Sequence, residues 1–332
     1  DHVISPKTFL LLPLLLLTIP AAGFCDENPG NRHFYVGYDP SVSFWRGQET
    51  WIAGVTDNDQ PLYQIKPEWE VFRDGGHVGV FLGENWLMLF PQPNARVEFS
   101  GFYASGQAEE QRDLGVDRFL VRGLTFTDPA ANSIDLSGGG LGTSYASMSV
   151  DHLEREYAFV YKTDHTLGSF GITPHLGFRY THSKNTFLAS NQLTASHTAF
   201  LTLTENTYAS YYAVDFGVGA EVPLGGDWTL FGDVSCLPTW VTSKMVASQR
   251  VPAFGIAEEA GDRRKDRTVD WRSKFGIQKK LGMFILRAAG TFEYWGFVPE
   301  IVNPLYQTDP VVHLEQDEAH AWGAELSATA DF

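Results

Sequence analysis

Apolar and polar residues alternate one by one along most of this chain. A period of two puts the apolar set on one face of a β-strand. From Ser169 to Thr181, Phe170, Ile172, Pro174, Leu176, Phe178 and Tyr180 oppose Gly171, Thr173, His175, Gly177, Arg179 and Thr181. The pattern recurs over 208–222, 284–294 and the end of the chain, where Trp322, Ala324, Leu326, Ala328, Ala330 and Phe332 oppose Glu325, Ser327, Thr329 and Asp331. Six further stretches follow it: 34–44, 71–82, 96–103, 153–162, 228–240 and 269–281. These runs exceed the five or six residues usual for strands of soluble sheets. Their apolar faces carry Phe, Tyr and Trp near the strand ends, as the aromatic girdles of membrane barrels do. The expected fold is therefore all-β. It is an antiparallel transmembrane β-barrel of about ten strands, with eight or twelve as alternatives according to how 34–82 is read. A soluble sandwich is the competing reading of the same alternation.

The links between runs sort by length. Short ones fall at 163–168, 223–227 and Gly282, and long external loops are expected near 46–66, 107–145, 184–206, 247–267 and 298–319. Alternating short turns and long loops is the connectivity of outer-membrane barrels. The apolar link from Glu84 to Asn94 breaks that rhythm. Pro174 and Pro238 lie inside runs, where each removes a ladder donor, so a bulge is expected at both.

The one long apolar run is at the start. Lys7 precedes Phe9-Leu10-Leu11-Leu12-Pro13-Leu14-Leu15-Leu16-Leu17, and Ala21-Ala22-Gly23 follows. A basic start, a short apolar core and small residues make a secretory signal. The run is shorter than the roughly 20 residues a spanning helix needs. Residues 1–23 are expected to be the signal peptide and 24–332 the barrel. Cys25 suits a lipid anchor poorly, because Phe24 stands where such signals carry Gly or Ala.

Composition narrows the class. A net charge of −16 argues against nucleic acid, which needs clustered Lys and Arg. A mean hydropathy of −0.16 fits a barrel with one wet strand face. Two cysteines, Cys25 and Cys236, allow neither a disulfide framework nor a four-cysteine metal site.

The polar strand faces supply the candidate functional residues. Glu154, Glu156, His175, Arg179, Asp215, Asp233, Asp270, Arg272, Lys274, Arg287, Glu293 and Glu325 are expected to point into the lumen. Charges of both signs admit two readings, a water-filled passage or a lumen closed by its own ion pairs. No nucleophile stands legibly beside His152, and Asp151-His152 has no Asp-Asp partner, so no catalytic residues are assigned and an enzyme is not expected. Ser137-Gly138-Gly139-Gly140-Leu141-Gly142 lacks the Lys-Ser/Thr of a phosphate loop and reads as a turn. Glu109-Glu110, Glu258-Glu259 and Glu315-Gln316-Asp317-Glu318 read as solvated loop carboxylates rather than ordered calcium loops. No cofactor or metal is expected.

The terminal run Ala324-Glu325-Leu326-Ser327-Ala328-Thr329-Ala330-Asp331-Phe332 resembles the signal read by the barrel-assembly machinery in outer-membrane proteins. Phe34-Tyr35-Val36-Gly37-Tyr38 is similar to the first strand of OmpA-like barrels. Phe292-Glu293-Tyr294-Trp295-Gly296-Phe297 and Leu230-Phe231-Gly232-Asp233 are similar to short segments of Legionella-type major outer-membrane porins. The resemblance implies an outer-membrane location, with lipid, lipopolysaccharide and the assembly machinery as partners and Phe332 as the assembly signal. It also implies a porin-like narrow pore for small polar solutes or ions. The alternatives are a non-conducting structural or adhesion barrel acting through its loops and, last, a lipid-modifying or proteolytic enzyme.

Overall fold

The computed structural model describes residues 34–46, 51–55, 61–65, 68–82, 95–113, 120–121, 134–135, 144–193, 199–252, 255–302 and 313–332. The signal region, Cys25, the Gly-rich stretch and the 84–94 link lie outside them. No described helix is long and apolar enough to cross a membrane.

Ten antiparallel strands close into a ring. We number them β1 (two halves, Phe34–Tyr38 and Ser41–Arg46), β2 (Glu68–Leu82), β3 (Ala95–Asp113), β4 (Ser144–Thr163) and β5 (Phe170–Leu193). Then follow β6 (Ala199–Gly225), β7 (Trp228–Val251), β8 (Ile256–Leu281), β9 (Phe284–Val302) and β10 (His313–Asp331). Each strand pairs with its sequence neighbours, and β1 pairs with both β2 and β10 to shut the barrel. The break in β1 falls at Asp39-Pro40, where proline has no N–H for the ladder. Register is the same on both sides of it: Tyr38 faces Ala328 and Ser41 faces Glu325. At the seam the Phe332 amide donates to the Phe34 carbonyl at 3.0 Å, and the two rings stack 5.0 Å apart.

The turns beside the chain termini are tight. Gly226 and Asp227, with φ of 59° and 67°, form the two-residue link between β6 and β7, and two positive φ values mark a type I′ turn. Gly168, at φ 67°, turns the hairpin in which His165–Leu167 pairs with the start of β5.

An apolar belt surrounds the barrel. Phe99, Phe159, Phe178, Phe216, Leu230, Phe275, Leu286 and Leu326 all face outward and exposed. Its upper edge is a row of facing aromatics, Tyr157, Tyr180, Tyr212 and Trp240, on four consecutive strands. Its lower edge includes Phe170, Trp228 and Phe284. From Phe170 to Tyr180 a strand rising about 3.3 Å per residue and tilted about 40° climbs roughly 25 Å, the height of an outer-membrane belt.

The strands do not stop at that edge, which corrects the loop expectations. β6 runs up to Ala199, β7 to Val251 and β9 to Val302, so most of 184–206, 247–267 and 298–319 is paired strand. Two short ribbons, Trp51–Val55 with Pro61–Ile65 and Leu120–Val121 with Ile134–Asp135, lie within 46–66 and 107–145. The acidic pairs at 109–110 and 258–259 and the 315–318 cluster are likewise on strands, β3, β8 and β10. The proline expectation is corrected too. Register does not shift at Pro174 or Pro238; only local ladder pairs are missing, between β4 and β5 and between β6 and β7.

Candidate functional site

The inner surface is built in layers. At the terminal end, Tyr35 and Lys162 both donate to Glu98 at 2.8 Å, and Arg96 pairs with Asp164. Nearby His77 bridges Asp39 (2.5 Å) and Thr329 (3.3 Å). Above lies a cavity of about 290 Å³ with Asp39, His77, His175, Asp233, Lys274 and Arg287 in its lining.

The cavity is roofed by ion pairs. Arg272 donates to both Glu156 oxygens, at 3.0 and 2.7 Å. Arg179 also reaches Glu156 and donates to Asp215 at 2.7 Å. Arg73 forms a bidentate pair with Glu293 and stands 3.6 Å from Glu154. Thr181 adds a 2.9 Å bond to Glu156, and His175 sits 3.1 Å from Ser235 and 3.4 Å from Asp215. These groups are almost wholly out of water. A buried carboxylate is tolerable only when cations and donors surround it, and guanidinium forks supply both.

All twelve residues assigned to the lumen from alternation lie on this inner side. The roof unites Glu154, Glu156, Arg179, Asp215, Arg272 and Glu293, with His175 at its edge. Lys274 bonds Glu325 at 2.6 Å, Arg287 bonds Gln278 at 2.8 Å, and Asp233 is 3.7 Å from His175. Asp270 stands higher, accepting from Thr239 at 2.8 Å and the Gly296 amide at 3.0 Å. Arg73, which completes the roof, was missed because 71–82 was read for its apolar face alone.

Directly above the roof the bore is apolar. Trp45, Val71, Ala104, Val150, Phe187, Ala209, Tyr211, Val241, Trp295, Phe297, Ala319 and Ala321 form one buried cluster, to which every strand except β8 contributes. Trp295 packs on Trp45 and Tyr211 at ring distances of 5.5 and 5.0 Å. Val71 and Phe297 have 0% exposure. The signal for this layer was available: on the inward parity of β9, Glu293 is followed by Trp295 and Phe297. A second cluster, Ala189, Leu203, Met245, Ala247 and Leu314, lies higher.

Among the described residues the wall is discontinuous between β8 and β9. The β8–β9 ladder ends at Trp271 and Tyr294, whereas β7–β8 pairing continues to Val251 and Ile256. A bulge between Trp295 and Val298 carries upper β9 inward, toward Trp45 and Tyr211. Carboxylates of β8 bond across this gap, Asp270 accepting from Gly296 N of β9 at 3.0 Å and Asp262 from Leu314 N of β10 at 2.9 Å. Only glycine fits at 296, where a Cβ would collide with Thr268 Oγ1.

Above the belt three carboxyls are held above their ordinary range. Burial alone lifts Glu205 to about 7. Burial, then the charges of Asp317 and Glu315, raise Glu300; burial and Glu318 raise Asp317. His152 is inside the barrel and not at its rim. Its Nδ1 is 2.6 Å from Asn185 Oδ1 and its Nε2 is 3.5 Å from Glu154.

A closed antiparallel ring with an apolar exterior, aromatic rows and an ionic interior defines an outer-membrane β-barrel protein. Solved structures agree on the fold. The outer membrane protease OmpT of Escherichia coli superposes with a TM-score of 0.50 at 9% identity, covering 90% of this chain and 97% of its own. Looser matches include a major outer membrane protein of Thermus thermophilus (TM-score 0.30, 11% identity, 89% and 99% covered). Another is the toluene transporter TodX of Pseudomonas putida (0.29, 9%, 92% and 90%). No protein-family profile and no curated protein sequence matches the chain.

Proposed function

We propose that this protein is a stoppered outer-membrane barrel that acts at the cell surface, through the strands standing above the membrane, rather than by passing solutes. The apolar layer around Phe297 carries this reading. Ions crossing it would shed much of their hydration among Trp45, Val71, Tyr211, Trp295 and Phe297, which offer mostly apolar surface in return. The height of the strands above the aromatic row supports a surface role. The reading includes no hydrolysis, since His152 faces Asn185 and Glu154 within the barrel.

Planar-bilayer recording tests it. The full chain is expected to show no conductance steps, and a Trp295→Ala, Phe297→Ala variant to show them. Steps from the unaltered chain would overturn the reading in favour of a second, a gated narrow pore for small polar solutes or ions. One observation favours that alternative: the β9 segment bearing Trp295 and Phe297 is not laddered to β8.

A further inference from the structure

Immediately above the aromatic row, the outer face of β7 and β8 carries four cations. Register sets Trp240 beside Arg267, Thr242 beside Lys265 and Lys244 beside Arg263, and all six side chains are exposed. On the next strand Tyr212, Ser210 and Tyr208 stand beside Trp240, Thr242 and Lys244. Among the described residues no carboxylate lies within ion-pair distance of the four. The acids of this stretch are engaged elsewhere: Asp266 pairs with Arg264, Asp262 accepts from the Leu314 amide, and Asp270 is buried. In a chain of net charge −16, four uncompensated cations on one small face are a local exception.

Their position limits what they can meet. Val269 and Trp271 lie directly below on β8, and Val234 and Leu230 below on β7, all exposed and within the apolar belt. The same surface continues from acyl chains into the cations, so they occupy the headgroup level of the outer leaflet. Guanidinium and ammonium groups there favour phosphate, and the Tyr and Ser hydroxyls alongside add donors. We propose that this face binds the phosphates of the phosphorylated glycolipid of the outer leaflet, with Lys244, Arg263, Lys265 and Arg267 as the anion-holding residues. The proposal rests on the outer-membrane location and not on the bore being closed.

The test uses the full chain in neutral detergent with a chelator present, so that no divalent ion bridges. The probes are bis-phosphorylated lipid A, its phosphate-free counterpart and an oligoglutamate peptide, and native mass spectrometry reads the bound fraction. Bis-phosphorylated lipid is expected to bind. Arg263→Gln with Lys265→Gln weakens it roughly tenfold or more, and adding Lys244→Gln and Arg267→Gln brings the loss to roughly a hundredfold. The matched pair Lys279→Gln, Lys280→Gln at the opposite end leaves it within about twofold. Unchanged binding in the first variant overturns the proposal. So does equal binding of phosphate-free lipid, or displacement of the lipid by the peptide at lower concentration, which would make this a protein-docking face. Circular dichroism of each variant separates loss of the site from loss of the fold.

Discussion

The lower and upper halves of this barrel are chemical inverses built from the same strands. Below the Tyr157–Tyr180–Tyr212–Trp240 row the outside is apolar and the inside ionic. Above it apolar side chains enter the inside, with Phe187, Tyr211, Val241 and Met245 buried among neutral polar ones such as Asn185, Thr207 and Ser243, and the outside carries Lys244, Arg263 and Lys265. On β7 the exchange takes one step: Trp240 is the last outward aromatic and Val241 joins the buried apolar cluster. The solvent explains it. Where the wall meets lipid, polarity can be placed only within; where it meets water, the ordinary rule of an apolar interior returns. The same strands therefore serve two environments, and the changeover marks the membrane surface.

Substitutions can break that contrast. The largest effect is expected at the ionic roof. Glu156→Leu would leave Arg179 and Arg272 without their shared carboxylate, and urea unfolding in lipid vesicles should show a loss of about 3–5 kcal/mol. A loss below about 1 kcal/mol would mean that water reaches the roof. In the apolar layer, Phe297→Ala should cost about 3 kcal/mol by the same measurement, through the cavity it leaves. A matched pair then locates the changeover. Leu230→Lys, outward within the belt, should cost about 2–4 kcal/mol, and Thr242→Lys, outward above it, about 0–1. Equal costs would place the membrane surface elsewhere.

A pH-dependent effect concerns Glu205, an inward carboxyl of the upper half beside Phe187 and Ala247. Its folded-state pKa of about 7 exceeds that of an unfolded glutamate, about 4.3. Below the lower value the group is neutral in both states and costs nothing. As pH rises from there the unfolded chain gains the charge more readily, so stability falls until about pH 7 and then levels. Glu205→Gln should thus stabilise the protein by about 3–4 kcal/mol at about pH 8 and leave it unchanged at about pH 4. Stabilisation of equal size at both values would show that burial of the charge is not the cause.

The same inversion decided what could be read in advance. In the belt, Phe170 to Tyr180 and Trp228 to Trp240 alternate in one phase, and ten strands, their faces and the inward position of eleven charged residues and His175 followed. Past Trp240 the phase flips: Thr242 and Lys244 continue the outward parity, while Val241 and Met245 take the inward one. A reading keyed to an apolar outer face sees the strand end there, and paired strand was assigned to loops. The apolar layer stands on the inward parity too, where Trp295 and Phe297 follow Glu293, and a reading that assigns apolar residues to the outside passes over it. The roof was half legible. Each member is a charged residue at an inward position, but the pairing of Arg73 with Glu293, from strands far apart in sequence, depends on closure of the ring.

That closure has a kinetic side. Nine of the ten neighbouring pairs form between strands adjacent in the chain, so each hairpin needs only local search. The tenth joins Phe34 to Phe332, the first and last strands of the ring. Bringing such ends together costs about 5 kcal/mol in chain entropy if nothing intervenes, and far less once nine hairpins have curled the sheet. The stacked pair of rings then works as a clasp fastened last, and until it fastens β1 and β10 offer two open edges to any other unfinished sheet.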